Sequence, residues 1–346
     1  MKWTNRYGVS PIIAEAIMND GYDPGDCDIT VTSLIDSPYV RYQKSRPEFK
    51  DVEVEFSSMI YALLGKLVHG ILETGMAGLG NDKIMDVIAA TGIVYEDLDV
   101  EERLFAQDKG WTWSGQYDLY YSRRVNGEKL WVLEDHKLCS VGEFSAQRGE
   151  DKWTKQLNLL ALLCRRNGMP VDELAINAYF RDWSKMRAAH DRTNEYPPSQ
   201  HQRILIDLWP QHVQQAYLEE RIRKHQQNPP PPCSPEERWE REPKWRVLPR
   251  GAKRGRLFPS REEAMSYIDY VVGQLNDRLA AATEMKPTSK AGLAAKQKKR
   301  AKLKEEIFNI QTATVEPAGG IPIRCKFYCQ AASICPAYQQ TLEVQS

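Results

Sequence analysis

Between Val100 and Leu138 the chain changes texture, and this stretch limits its fold more than any other. Val100–Gln107, Trp111–Arg124 and Leu130–Leu138 have strand composition, and Val125-Asn126-Gly127-Glu128 carries the Asn-Gly pair of a tight hairpin turn. Links this short predict an antiparallel meander. On either side the apolar period becomes helical. Phe56–Met76 repeats Met59, Ile60, Leu63, Leu64, Leu67, Val68, Ile71 and Leu72 at helix spacing. Lys152–Arg166 puts Leu157, Leu160, Ala161 and Cys164 on one face, and Gly168 and Pro170 end it. Leu174–Trp183 reads as a further strand. Helix, strands, helix and strand in succession predict an α/β fold, a mixed central sheet flanked by helices.

Outside this block, Thr30–Tyr42 and Asp82–Ala90 predict short helices and Gln200–Gln226 a long one. Asn228 and the run Pro229–Pro232 make a stiff linker. Beyond it lie a helix over Arg261–Glu284, a basic helix to about Phe308, and Gly319-Gly320 with Pro322. The expected organisation is an N-terminal segment 1–27, a core 28–226, a basic and aromatic helical subdomain 227–310, and a cysteine-bearing tail 311–346 packing back on the core. A chain of 346 residues, 42% hydrophobic, can bury such a core. No apolar run approaches the ~18 residues a membrane span needs. Met1-Lys2-Trp3-Thr4-Asn5-Arg6 lacks the apolar stretch of a secretory signal, and seven cysteines are an odd number, so a cytoplasmic, reducing setting is expected.

Net charge is zero, 47 basic against 47 acidic residues, but the charges are unevenly placed. Lys286–Lys304 holds eight basic residues and no acid, and Lys244–Arg256 holds six and no acid. Such runs are either solvated faces or tracks for a phosphate backbone. Trp239, Trp245 and Phe258 lie nearby, as base-stacking rings or as packing for the second subdomain.

The hairpin also carries chemistry. In Leu133-Glu134-Asp135-His136-Lys137, alternation puts Leu133, Asp135 and Lys137 on one face and Glu134 on the other. Gly115-Gln116-Tyr117-Asp118 on the partner segment can bring a second carboxylate close to Asp135. Two such carboxylates repel unless a cation lies between them, and hard oxygen ligands select Mg²⁺ or Mn²⁺. A neighbouring Lys can orient water and stabilise charge on a phosphate, which together is the minimum apparatus for metal-assisted phosphodiester hydrolysis. The simpler reading is a surface Asp–Lys pair. His69, in Gly65-Lys66-Leu67-Val68-His69-Gly70, lies on the apolar helix. Its flanking glycines cost helix stability and are expected to admit another element or a metal closely. Glu73, one turn on, is placed to orient the ring.

The ordered set is a helix with G-x-x-x-H, then G-x-x-D, then D-x-K, then a helix with Gln156. Over roughly residues 28–185 it resembles the RecB-like branch of the PD-(D/E)XK nuclease superfamily, which includes the nuclease domains of RecB and AddB and the CRISPR-adaptation exonucleases. The resemblance implies a restriction-endonuclease-like sheet. It also implies that His69, Asp118 and Asp135 are metal ligands and that the His136 carbonyl is a further one. Lys137 becomes the catalytic lysine, and Gln156 the glutamine of Q-x-x-x-Y, which contacts DNA or orients the lysine. Leu160 stands at the tyrosine position.

The tail Arg324-Cys325-Lys326-Phe327-Tyr328-Cys329 to Cys335-Pro336 gives C-x3-C-x5-C followed by Pro. Thiolates this close suit Zn²⁺ or an iron–sulfur cluster, and the long second spacing with the proline favours the cluster. It resembles the C-terminal cluster segment of AddB-type and CRISPR-adaptation nucleases. In those relatives an early cysteine completes the set, and here Ser37 stands in that region. Cys233 or Cys27 must then supply the fourth thiolate of a 4Fe-4S cluster, and Cys233 is preferred. A C-E-R-W-like element after Cys233 looks like phage-encoded relatives. The resemblance therefore implies an Mg²⁺- or Mn²⁺-dependent DNA exonuclease of replication, recombination or repair. DNA would be its partner, as single strands or duplex ends, and a recombination or replication protein is compatible as another. The competing readings are an inert nucleic-acid-binding protein on the same fold and a zinc-stabilised regulator.

Overall fold

The computed structural model describes residues 1–19, 21–78, 95–145, 148–193, 195–287 and 289–345. The helix expected over Asp82–Ala90 lies outside the described residues. The chain forms two compact units, Met1–Cys233 with Gln330–Ser346, and Ser234–Cys329.

The first unit begins with β1 (Lys2–Thr4), α1 (Pro11–Met18), β2 (Ile29–Thr30), α2 (Val31–Leu34), α3 (Pro38–Ser45), β3 (Glu53–Glu55) and α4 (Ile60–Gly78). It continues through β4 (Glu96–Val100), β5 (Arg103–Asp108), β6 (Trp111–Gln116), β7 (Leu119–Val125), β8 (Glu128–Cys139), α5 (Val141–Ser145) and α6 (Arg148–Arg166). It then runs through β9 (Glu173–Phe180), α7 (Lys185–His190), β10 (His201–Ile206) and α8 (Gln211–His225). The architecture is mixed α/β. A five-stranded sheet has the order β10-β9-β8-β7-β4, with β8 and β9 parallel and the other pairs antiparallel. A second sheet, β2-β6-β5, is also mixed. The N-terminal segment is part of this unit, since β1 pairs with β3.

The expected strand Trp111–Arg124 is two strands in two sheets. The chain crosses between sheets twice, at Glu101–Glu102 and at Tyr117–Asp118. The crossings pair with each other, Glu101 N donating to Asp118 O at 3.2 Å and Tyr117 N to Glu102 O at 3.3 Å. Tyr117 is fully buried there, its hydroxyl 2.8 Å from Asp99 and 2.9 Å from Glu102. Composition cannot reveal such a corner, because strand residues run on both sides of it.

Helix α6 anchors the core. Leu157, Leu159, Leu160, Ala161, Leu162, Leu163 and Cys164 are each at most 2% exposed. One buried face was expected. Residues 157–164 are buried all round because strands of both sheets and the helices α2 and α8 pack against this helix. Gly115 is the point of closest approach. A Cβ there would stand 2.6 Å from Leu160 Cδ2 and 2.9 Å from Val31 Cγ2. Gly115→Ala is therefore expected to cost about 1–3 kcal/mol of overpacking, read as a lower urea midpoint at unchanged slope.

The long helix expected over Gln200–Gln226 is corrected. Its first part is β10, paired antiparallel with β9. Pro210 explains the break, because a proline inside a helix removes a hydrogen bond and clashes with the preceding turn, whereas just before the first turn it is tolerated. Buried Asn158 pins the link by donating to Asp207 O at 2.9 Å and accepting from Trp209 N at 2.7 Å and Gln214 Nε2 at 3.0 Å. Thr30–Tyr42 is likewise two helices, α2 and α3, with Pro38 opening the second.

The second unit contains β11 (Lys244–Leu248), β12 (Arg256–Phe258), α9 (Arg261–Glu284), α10 (Lys290–Gln311), β13 (Thr314–Ala318) and α11 (Ile323–Phe327). Its antiparallel sheet, β12-β11-β13, packs Val247 against Ala264 and Ile268 of α9. Leu275 and Ala282 of α9 meet Leu303 and Ile307 of α10. The unit spans 234–329, where limits of 227 and 310 were expected. The remaining tail returns to the first unit and ends in α12 (Pro336–Gln345). Among the described residues no helix is long and apolar enough to cross a membrane.

Candidate metal centre

The two sheet crossings bring carboxylates to one place. Ligand atoms of His69, Glu101 and Asp118 all lie within 4.8 Å of one another. His69 comes from α4, Glu101 from the β4–β5 crossing and Asp118 from the β6–β7 crossing. His69 Nδ1 is 2.7 Å from Glu101 Oε1 and 3.5 Å from Asp118 Oδ1. Glu101 holds a left-handed backbone, φ 59°, which turns the chain from one sheet into the next.

Beside this trio, strand alternation presents Asp135 and Lys137 together, as the sequence predicts. Lys137 Nζ lies 2.5 Å from Asp135 Oδ2, and Gln156 Nε2 of α6 donates to Asp135 Oδ1 at 3.0 Å. His136 N donates to Asp118 Oδ2 at 2.6 Å, which ties the two acidic strands together. The same alternation sends the His136 ring to the other face, where Nδ1 is 3.1 Å from Tyr179 Oη. Glu134 also faces that side, bonded to Tyr121, Asn177 and Arg203. One cavity of about 660 Å³ is lined by His69, Glu101, Asp118, Asp135, Lys137 and Gln156 among others.

The electrostatics are those of a site short of positive charge. Asp118 and Asp135 are 3% and 1% exposed. Burial, with the Asp135 charge adding to it, pushes the Asp118 carboxyl up to about 7 despite Lys137, His69 and the His136 N–H. The Glu101 hydrogen bond raises the His69 pKa against burial, helped by the Asp118 charge. Burial alone would lower Lys137, but Asp135 and Asp118 outweigh it and raise it. One imidazole nitrogen and clustered carboxylate oxygens form a donor set that fits a hard divalent cation.

Glu101 was missed in the sequence. Nothing in the local pattern around Val100-Glu101-Glu102 marks it, because its position depends on the crossing 17 residues later, at Asp118. No other element of the described residues uses the room that Gly65 and Gly70 leave. A Cβ at either meets nothing within 4 Å, and Gly70 leaves open space at the cavity wall. The Glu73 side chain lies outside the described residues. Leu160, at the expected tyrosine position, is core packed on Gly115.

Of the cysteines, Cys233 Sγ lies 3.2 Å from Ser37 Oγ at the start of α3. Burial raises the Tyr39 pKa, and the charges of Cys335 and Cys233 raise it further. Arg46 donates to Ile334 O at 3.5 Å, holding the tail on the same helix. Cys27 is elsewhere, its sulfur 3.2 Å from Ser114 Oγ on β6. Cys325 and Cys329 belong to the second unit, at and just beyond α11.

In that unit three of the six basic residues of the Lys244–Arg256 run are engaged internally. Arg246 pairs with Glu316, Arg250 covers Phe308, and Arg256 covers Phe258 and Tyr267. Trp245 and Phe258 pack against the Val247 cluster, while Trp239 is 42% exposed. On α10, Lys296 caps the end of α9 through Thr283 O and Met285 O, at 2.5 and 2.7 Å.

No protein-family model matches the chain, and no curated protein matches it. Among solved structures, the crystal structure of SSO0001 is similar at 14% identity and a TM-score of 0.38, over 63% of this chain and 86% of that one. At that distance the likeness says nothing about chemistry.

Proposed function

We propose that this protein is a divalent-metal-dependent DNA nuclease of the RecB-like PD-(D/E)XK kind, acting as an exonuclease. The observation that carries the reading is the meeting of His69, Glu101 and Asp118 beside the Asp135–Lys137 pair in one cavity. His69, Glu101, Asp118 and Asp135 would hold Mg²⁺ or Mn²⁺. When bound, the ion supplies Lewis-acid polarisation of a phosphoryl oxygen and a more acidic water. Lys137, its pKa raised by the carboxylates, stays cationic at neutral pH. Its ammonium orients the attacking water and offsets negative charge growing on the phosphate. Gln156 fixes Asp135 by its amide hydrogen bond, so both oxygens of Asp135 keep their direction. The exposed lysines of α10 supply sequence-independent attraction to a phosphate backbone.

Purified protein incubated with end-labelled linear DNA and with closed circles tests the activity. Mg²⁺-dependent loss of the linear DNA, with circles intact and EDTA blocking, is expected. Cutting of circles would make the enzyme an endonuclease, and no cutting of either would end the nuclease reading.

A 4Fe-4S cluster on Cys233, Cys325, Cys329 and Cys335 belongs to the same proposal. It is supported by Cys233 lying 3.2 Å from Ser37 at the start of α3, while Arg46 at the end of that helix bonds Ile334, the residue before Cys335. After anaerobic purification, Cys233→Ser is expected to lose most of its iron and sulfide, while Cys27→Ser keeps both. Stoichiometric zinc without iron would replace the cluster by a zinc site.

A further inference from the structure

The cavity rim holds a chain of contacts that the hydrolytic reading leaves unused. Arg103 of β5 donates through Nη2 to Gln116 Oε1 at 2.8 Å and through Nη1 to Ser114 Oγ at 3.3 Å. Gln116 in turn donates through Nε2 to Glu101 Oε2 at 2.8 Å and to the Glu101 carbonyl at 3.1 Å. The other Glu101 oxygen faces His69. Behind this line, the Arg103 guanidinium covers the Tyr22 ring at 5.2 Å. Tyr22 and its neighbours Gly21 and Asp23 form one wall of the cavity.

A glutamine amide has one accepting end and one donating end, and a guanidinium only donates. Arg103 at one end and the two Glu101 acceptors at the other agree on which way Gln116 points. With its oxygen held by Arg103, Gln116 is kept extended with its NH₂ on Glu101. Without that cation the oxygen loses its partner and the side chain is free to swing away from Glu101. Glu101 would lose the bond that occupies Oε2 and leaves Oε1 facing His69.

We propose that Arg103 is a positioning residue, which locks the Gln116 amide so that Glu101 presents a single oxygen to the cation site. This rests on the divalent-cation reading of that site. The role is separate from holding the Tyr22 wall, because it runs through hydrogen bonds and not through the ring contact.

Mn²⁺ binding to metal-free protein, measured without DNA by electron paramagnetic resonance, tests it. Arg103→Met and Gln116→Met are each expected to weaken binding about tenfold, as supporting residues around metal ligands do. The double variant should be no weaker than either single one, since both break the same chain. Tyr22→Ala removes the ring contact and leaves the Arg103–Gln116–Glu101 hydrogen bonds in place, and should stay within twofold of wild type. Thermal melts confirm folding, and if Arg103→Met fails to fold, Arg103→Ala takes its place in the same comparison. Single variants within twofold of wild type, fully multiplicative losses, or an equal loss in Tyr22→Ala would overturn the role of Arg103. A wild-type protein that binds no Mn²⁺ would overturn the cation site itself, and the role with it.

Discussion

Asp118→Asn is expected to lower Mg²⁺-dependent DNA cleavage by more than about 10²-fold, while the metal-free variant melts higher than wild type. The first effect follows from ligand loss, since even residues that merely support a ligand cost about 10–100-fold when removed. The second follows from the raised Asp118 pKa. Burial and the Asp135 charge disfavour its ionised form in the folded protein. Folded protein thus holds a proton that unfolded chain has lost, and stability falls as pH rises from the ordinary aspartate range through about 7. Asn removes that penalty and can still accept the His136 N–H bond. The gain should be largest near about pH 8 and fade toward about pH 4. Melting curves in EDTA across that range check it. An inactive variant that is also more stable cannot owe its inactivity to misfolding.

Lys137→Met should behave oppositely in stability. Turnover is expected to fall about 10²–10³-fold, the usual cost of losing one donor aimed at developing charge. Mn²⁺ affinity should hold or tighten, because Asp135 loses its cationic neighbour and faces the metal alone. Metal-free protein should melt lower, since the variant leaves a buried carboxylate without its ion-pair partner. Single-turnover cleavage, Mn²⁺ titration and a thermal melt together separate these effects. Unchanged turnover would remove Lys137 from the chemistry.

What was legible in the sequence is what depends on short-range rules. Alternation along β8 placed Asp135 and Lys137 together and sent Glu134 away, where Arg203 holds it. The Asn126-Gly127 turn takes positive φ at both residues, 52° and 88°, as its composition requires. Helical period located α4 and α6 to within a few residues. What was not legible depends on pairing at a distance. Tyr117 looks like any strand tyrosine, yet it marks a crossing between sheets because Asp99 and Glu102 receive its hydroxyl. Glu101 entered the site through that same crossing. In β10, pairing with β9 overrode a local pattern read as helix, though Pro210 was a visible warning. Gly65 and Gly70 leave room that no protein element takes up among the described residues, since small residues permit an approach without requiring one.

The most direct measurement of the central claim is anomalous diffraction from crystals of the whole protein soaked in Mn²⁺. A single strong peak bounded by His69, Glu101 and Asp118, at the roughly 2.0–2.2 Å ligand distances of small divalent ions, is the predicted result. In Asp118→Asn crystals the peak should disappear under the same soak. Manganese bound elsewhere, with these three side chains keeping their metal-free hydrogen bonds, would contradict the account.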